Sequence, residues 1–310
     1  MNIITQESPL DKWAAHKKQS LEMATRMARM KSISPSRPQR MLSCGDTLTS
    51  RYCPACGHTH IIAAKRCRDR LCPLCTWRLS IQRYHEMMDT LELLQDQINE
   101  EHLHASMITL TVRNVKVPDL KECLQMIQAA WKRLYQSKLW RGVVGWARCL
   151  EITYNSKAKT VHPHLHILAL TEERIDYESA DAELRMGWRS AARLRYNPQT
   201  DIREAYDTSG AVDVWRCAGE AFSYSIKPST LLSMPDKQLE TFANQIAGTR
   251  MTSYGGIIKT ARAQLGFTDD EYADDEHGDT ACQCGSPLEE MVLAWSAGGY
   301  HRIQREGATA

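Results

Sequence analysis

The sequence predicts a protein of mixed strands and helices that is organised around a β-hairpin. Residues 161–170 alternate histidines with apolar residues, which is typical of a half-buried strand. A second alternating stretch, 147–154, precedes them across the turn-like residues 155–159, as in a β-hairpin. Apolar residues at helical spacing occupy residues 119–139 and 178–195. Strands and helices therefore alternate through the middle of the chain.

Length and composition exclude several classes of protein. The 310 residues are enough for one large domain or two ordinary ones. We find neither a run of 18 apolar residues nor a charged-then-apolar leader, so we expect a cytoplasmic protein with no membrane partner. The 11 cysteines are an odd number and several fall in CxxC pairs, which favours intracellular metal binding over a secreted disulfide scaffold.

Charge is unevenly distributed along the chain. Residues 1–150 carry 23 Lys and Arg against 13 Asp and Glu, whereas residues 151–310 carry 16 against 24. A basic half beside an acidic half suits a polyanionic partner.

Four regions follow from composition and pattern. Residues 1–45 form an N-terminal helix and a linker at 31–43; the helix either contacts a DNA backbone or docks on its own protein. Residues 46–100 form a zinc-binding module and a helix, and residues 101–235 form the central domain. Residues 236–310 form a helical and acidic C-terminal region, in which Cys282 and Cys284 are a further metal candidate together with His277.

Two CxxC pairs, separated by 15 residues, predict a zinc site. Each pair offers two thiolates to one tetrahedral ion, and the expected structural zinc ligands are Cys53, Cys56, Cys72 and Cys75. Cys44 and Cys67 lie nearby, so either can replace a member of this set, and His58 and His60 are further candidates.

The hairpin predicts a second metal site. Alternation places three histidines on one strand face: His162, His164 and His166. If paired residues sum to 315 or 317, Glu151 faces His164 or His166, and one carboxylate and two imidazoles converge on one ion. A register slip of one residue would move Glu151 to the other face. Thr109 and Thr111 are the polar neighbours expected on the adjacent strand, residues 104–115.

Two helices carry candidate functional side chains. Arg185, Arg189 and Arg193 are four residues apart and form a basic stripe, which either contacts phosphate or is a solvated surface. On the short helix 214–227, three side chains project from one face: Glu220, Tyr224 and Lys227.

These motifs, in this order, resemble the HUH endonucleases, and among them the rolling-circle replication initiators (Rep proteins) of small plasmids. The resemblance covers residues 65–260. It is carried by five stretches: Cys67-Arg-Asp-Arg-Leu-Cys72-Pro-Leu-Cys75-Thr-Trp-Arg, Met107-Ile-Thr-Leu-Thr-Val-Arg-Asn114, Leu150-Glu-Ile-Thr-Tyr-Asn155, His162-Pro-His-Leu-His166 and Glu220-Ala-Phe-Ser-Tyr224-Ser-Ile-Lys227.

The resemblance implies an α+β fold, the HUH nuclease fold, with a five-stranded antiparallel sheet packed by helices and an N-terminal cysteine-rich zinc module. Residues 101–235 would be the nuclease domain. The histidine strand would be central in the sheet, and the tyrosine helix would lie across its metal face.

The resemblance also implies a nickase that acts at a plasmid replication origin. Glu151, His164 and His166 would hold Mg²⁺ or Mn²⁺, and Tyr224 would attack DNA to leave a 5′-phosphotyrosine and a 3′-hydroxyl primer. Glu220 would activate the water that ends the reaction, and Lys227 would lie near the phosphate or the nucleophile. The implied partners are origin DNA, single-stranded or supercoiled, and a host helicase and polymerase.

Two other classes of protein share part of this pattern. A single-tyrosine HUH transposase would use the same chemistry to join strands, although the spacing of Glu220 and Tyr224 favours the initiator. A zinc-dependent DNA-binding regulator without enzymatic activity would explain the cysteines and the basic half, but not the histidine strand.

Overall fold

The computed structural model describes residues 9–99, 103–205, 218–219, 226–268 and 282–303. These residues divide into two compact units. The first holds the residues up to Arg78 together with the C-terminal residues 282–303, and the second begins at Leu79 and ends before that C-terminal segment. No helix among the described residues has both the length and the apolarity needed to cross a bilayer.

Both units contain helices and strands. The α-helices are α1 (Pro9–Met27), α2 (Ser36–Leu42), α3 (Pro73–Leu93), α4 (Gln95–Asn99), α5 (Leu120–Tyr135), α6 (Tyr177–Ala191), α7 (Pro228–Ser233), α8 (Asp236–Gln245) and α9 (Gly256–Gln264). The strands are β1 (Thr47–Tyr52), β2 (Thr59–Ala64), β3 (His104–Thr111), β4 (Val115–Lys116), β5 (Val143–Asn155), β6 (Thr160–Thr171), β7 (Thr200–Glu204), β8 (Thr252–Gly255), β9 (Glu289–Ser296) and β10 (Gly299–Arg302). Short 3₁₀ helices span Val117–Asp119 and Lys138–Trp140.

The first unit contains an antiparallel four-stranded sheet in the order β10-β9-β1-β2. The C-terminal residues, expected to belong to a helical and acidic region, instead add two strands to the N-terminal hairpin. Residues 291–295 are mostly apolar, and Leu293 pairs with the fully buried Leu48 of β1. The acidic composition before residue 289 concealed this strand in the sequence.

The N-terminal helix α1 docks within the first unit. Lys17 is fully buried, and its Nζ donates to the carbonyls of Leu42 and Cys44 at 2.7 and 2.8 Å and pairs with Asp46 Oδ1 at 2.7 Å. A buried ammonium is tolerated because these three acceptors replace its water. The segment expected as a linker, residues 31–43, contains α2, whose buried Met41 adds to this packing.

The second unit is built on an antiparallel sheet in the order β7-β3-β6-β5-β8. The two-residue strand β4 also pairs with β6, with Val115 opposite Val161. The described residues of this sheet therefore form six strands, where five were expected. The histidine strand β6 is central, between β3 and β5, as the resemblance implied.

The β5–β6 hairpin has the register in which paired residues sum to 315. Glu151 lies opposite His164, and Leu150 lies opposite Leu165. The turn is fixed locally because Asn155 Oδ1 accepts the backbone N–H groups of Lys157 and Ala158 at 3.1 and 3.0 Å. A side chain in the turn thus helps to determine which residues face each other along the hairpin.

The two faces of this sheet are packed differently. On one face, buried apolar residues of the strands meet helices α3 and α9 in a single core: Met107, Ala147, Cys149 and Leu168 with Met87, Leu91 and Ile258. Helix α5 covers the opposite face. There Arg148 lies over the ring of Trp131 at 5.9 Å and donates to Gln128 Oε1 at 3.0 Å. Burial lowers the pKa of Arg148 to about 10, so the guanidinium is still charged at neutral pH.

Alternation along the strands determines which face carries the predicted metal residues. Glu151 follows Ala147 and Cys149 at intervals of two residues, and His164 and His166 precede Leu168 at the same interval. The predicted metal residues therefore continue the face that bears the α3–α9 core.

Candidate metal centre and cysteine clusters

Three side chains from the hairpin converge at one point. Glu151 Oε2 lies 3.3 Å from His164 Nε2 and 3.2 Å from His166 Nε2. One ligand atom from each of the three residues lies within 4.8 Å of the other two. Two neighbouring strands of a sheet position all three residues, so the group needs no ordering of a loop. It has the donor types and the spacing that hold a single cation.

Hydrogen bonds orient both imidazole rings. His164 Nδ1 lies 3.3 Å from the carbonyl oxygen of His162. A carbonyl can only accept, so Nδ1 carries a proton, and the other ring nitrogen, Nε2, faces Glu151. His166 Nδ1 lies 3.3 Å from Thr109 Oγ1, and the strand pairing places Thr109 directly opposite His166. In metal-binding histidines generally, the ring nitrogen that does not bind the metal makes a hydrogen bond that fixes the orientation of the ring.

Glu151 is ionised although it is buried. Burial raises the pKa of this carboxyl, but hydrogen bonds from His164 and His166, and the charges of His164 and Lys227, outweigh burial. The net effect holds the pKa of Glu151 well below its usual range. The group therefore offers a negative charge to a cation throughout the physiological pH range.

The third histidine of the strand lies outside the converging group. The His162 ring stacks on that of His164, with centroids 5.1 Å apart, but it does not belong to the set around Glu151. Burial, followed by the proximity of His164, lowers the pKa of His162. At a given pH, a larger fraction of its imidazole is therefore neutral than in a free histidine.

Of the predicted catalytic residues, the structure describes Lys227. Its Nζ lies 3.5 Å from Glu151 Oε1, and half of the side chain is exposed. Lys227 has an extended backbone immediately before α7, which begins at Pro228. Glu220 and Tyr224, with most of the expected helix 214–227, lie outside the described residues.

The expected zinc ligand set is wrong, because the two CxxC pairs lie in separate clusters. Cys53 and Cys56 lie in the turn of the β1–β2 hairpin, whereas Cys72 and Cys75 lie at the start of α3. Strands of six residues are roughly 20 Å long, so the turn and the open end of the hairpin are far apart. Spacing in the sequence did not reveal this separation.

The first cluster consists of Cys44, Cys67, Cys72 and Cys75. Cys44 precedes β1 and Cys67 follows β2, so both belong to the open end of the hairpin, where α3 starts. Neighbouring sulfurs are 3.5 to 3.7 Å apart. Ser20 Oγ on α1 lies 3.3 Å from Cys72 Sγ, and the Cys67 backbone N–H donates to Cys44 Sγ at 3.4 Å. Cys44 and Cys67, considered from the sequence as replacements, are both members.

The second cluster joins Cys53 and Cys56 to Cys282 and Cys284. The sequence indicated Cys282 and Cys284 as a candidate with His277, which lies outside the described residues. The sequence holds no signal specific to these partners. A glycine follows both Cys56 and Cys284, but a glycine also follows Cys44, which belongs to the first cluster.

The three arginines do not form one stripe. Helix α6 ends at Ala191, and Arg193 follows it in the left-handed region, with φ of 54°. Arg185 pairs with Asp181 on the same helix, and Arg189 Nη1 donates to Asn197 Oδ1 at 3.1 Å. At most Arg185 and Arg189 share a helical face.

Comparison with known proteins identifies the family. The model of a family described as Replication protein (Rep_1) matches residues 58–301. The chain is 29% identical over 259 residues to "Protein rep" of Bacillus amyloliquefaciens, covering 76% of this chain and 75% of that protein. It is 26% identical over 294 residues to "Protein rep" of Lentilactobacillus hilgardii, covering 91% of each. No solved structure matches. The chain therefore belongs to the replication-protein family, and its identification as a rolling-circle plasmid replication initiator is confirmed.

Proposed function

We propose that this replication initiator nicks one strand of its plasmid origin by metal-assisted attack of Tyr224. The observation that carries the proposal is the convergence of Glu151, His164 and His166 around one point. An ionised carboxylate and two oriented imidazoles add little apolar packing to the sheet face that they share with the α3–α9 core. Their arrangement suits the binding of a cation that meets a phosphate.

The donor set favours a hard or borderline divalent cation. It contains one carboxylate and two imidazoles and no thiolate, unlike the cysteine clusters. Three protein ligands leave coordination positions for oxygens, and we propose Mg²⁺ or Mn²⁺. When bound, the ion supplies Lewis-acid polarisation of the scissile phosphate and neutralises charge on its oxygens.

The chain's own residues would supply the nucleophile and the positioning groups. The Tyr224 phenol would lose its proton to solvent and its oxygen would form the new bond to phosphorus while the bond to the 3′ oxygen breaks. The 3′ oxygen would take a proton from water, which leaves a 5′-phosphotyrosine and a 3′-hydroxyl. Lys227 Nζ, 3.5 Å from Glu151 Oε1 and half exposed, would direct its charge at a phosphate oxygen. Glu220 would deprotonate the water that releases the DNA.

The proposal includes the partners that such a reaction requires. Origin DNA, as a single strand or as supercoiled duplex, is the substrate. The 3′-hydroxyl primer then requires a host polymerase, and strand displacement requires a host helicase. Membership of the replication-protein family favours this initiator over the transposase and over a regulator without enzymatic activity.

The test is a nicking assay on supercoiled plasmid that carries the cognate origin. With Mn²⁺ we expect open circles that retain protein through denaturation, and with excess EDTA we expect none. A plasmid of equal size that lacks the origin is the control. Full cleavage in saturating EDTA, or open circles free of protein at every time point, would overturn the proposal.

A further inference from the structure

We infer that Cys53, Cys56, Cys282 and Cys284 bind a zinc ion of their own, so that the protein carries two structural zinc ions. This site fastens the C-terminal strands to the N-terminal hairpin. The inference does not depend on the nicking chemistry, because all four cysteines belong to the first unit and the Glu151 group belongs to the second.

The distances between sulfurs fit a metal site and not a pair of disulfides. Cys53 Sγ lies 3.5 Å from Cys284 Sγ, and Cys56 Sγ lies 3.4 Å from Cys282 Sγ. Sulfurs bound tetrahedrally to one zinc ion lie about 3.8 Å apart, given a Zn–S bond of about 2.3 Å. Bonded sulfurs would lie at about 2.05 Å. All four sulfurs are within 4.8 Å of one another, as the corners of a tetrahedron must be.

Each pair of thiols lies in a short loop that is closed by a hydrogen bond from the glycine after its second cysteine. In the first, the Gly57 N–H donates to the carbonyl of Cys53 at 2.9 Å, and in the second the Gly285 N–H donates to the carbonyl of Cys282 at 2.8 Å. Both glycines have a positive φ, 73° and 79°, which disfavours residues with a Cβ. Each of the two segments thus forms a tight turn that can bring a pair of thiolates to one ion.

The strand pairing brings these two loops together. Strand β1 ends at Tyr52, and Tyr52 pairs with Glu289, the first residue of β9. The loop after β1 and the loop before β9 therefore lie at the same end of the sheet. Cys56 and Cys282 are 226 positions apart, so a shared ion would close a very long loop of the chain.

The two cysteine clusters differ in their exposure to solvent. Cys56 and Cys284 are exposed, whereas three of the four cysteines around Cys72 are buried and Cys67 is partly buried. A chelator should therefore reach the second cluster first. This difference gives a kinetic signature that distinguishes the two zinc ions in the wild-type protein.

The first measurement is metal content by elemental analysis of the full-length protein purified under reducing conditions. We expect two zinc ions per chain for the wild type and one for the Cys282→Ser, Cys284→Ser double variant. Cys123→Ser is the matched control, because Cys123 is a buried thiol outside both clusters, and it should retain two. One zinc ion in the wild type, or two in the double variant, would overturn the inference.

A second measurement uses the wild type alone and so does not depend on the folding of a variant. When excess chelator is added and zinc is followed with a chromogenic indicator, zinc release should show a fast phase and a slow phase. Each phase should release one zinc ion per chain. Thiol counting under non-reducing, denaturing conditions should give 11 free thiols after metal removal, the number of cysteines in the chain. A single phase of one equivalent, or four thiols missing as disulfides, would contradict the second zinc site.

Discussion

At His166, a hydrogen bond on one side of the ring determines what the other side can bind. Thr109 Oγ1 is the partner of Nδ1, and Nε2 faces Glu151. We expect His166→Ala to reduce Mn²⁺-dependent nicking below detection while DNA binding is unchanged, because a ligand is lost and the fold is not. His162→Ala is the control, since His162 lies on the same face but outside the group. An equal loss of nicking in both variants would mean that nicking needs the histidines of this strand face for a reason other than binding the ion.

Thr109 is expected to act through His166. Thr109→Val keeps the shape of the side chain but removes the hydroxyl, and it should weaken Mn²⁺ binding about tenfold, the lower end of the effect of losing a partner behind a metal ligand. Calorimetric titration of Mn²⁺ into the protein measures this affinity. Thr109→Ser restores the hydroxyl and should restore the affinity. Unchanged affinity in Thr109→Val would show that the ring needs no such support.

Glu220 and Tyr224 are expected to have separable roles. Glu220→Gln removes the group proposed to deprotonate water but keeps the nucleophile, so the variant should nick DNA and remain covalently attached. A time course on a denaturing gel should show an adduct that accumulates and does not decay. Release of DNA at the wild-type rate would exclude Glu220 from the terminating step.

At the scale of elements, the sequence determined the hairpin well and the ends of helices poorly. Alternation limited the useful registers to pairings whose residue numbers sum to 315 or 317, because in both of them Glu151 shares a face with His164 and His166. The structure has the sum of 315. Helix α5 was equally clear, since five apolar positions expected on its inner face are all buried: Leu120, Leu124, Ile127, Trp131 and Leu134. The end of α6 was missed because Arg193 adopts a left-handed conformation. An arginine at this position does not predict such a conformation, whereas a glycine would.

Arg185 and Arg189 on α6, and Arg193 just after it, remain a proposed phosphate contact. Replacing Arg185, Arg189 and Arg193 together with glutamine should lower the salt dependence of DNA binding by up to about three units, near one per lost contact. Arg185 is already paired with Asp181, so its contribution to the salt slope should be small. We therefore expect a decrease of fewer than about three units. Binding measured at several salt concentrations on specific and unrelated DNA tests this. An unchanged slope would identify a solvated face.

At the scale of the whole molecule, the sequence did not reveal the contacts between segments that are far apart along the chain. Local spacing indicated the cysteines as candidate metal ligands but could not show that Cys53 and Cys56 meet residues more than 200 positions later. Nor could the composition of the C-terminal region show that β9 and β10 complete the N-terminal sheet. Pairings of this kind depend on the folded sheet, whereas the Glu151 group depends on one hairpin and was therefore accessible from sequence.

The most direct test of the central claim is to identify the residue that becomes linked to DNA. Wild-type protein is incubated with Mn²⁺ and a single-stranded origin oligonucleotide, the adduct is digested with protease, and the nucleotide-linked peptide is sequenced by mass spectrometry. We predict linkage to Tyr224, and no adduct with Tyr224→Phe or with EDTA present. Tyr196 is a useful comparison, because its hydroxyl already accepts the Arg113 N–H at 2.9 Å. Linkage to Tyr196 or Tyr206, or an adduct that forms without a divalent cation, would contradict the account.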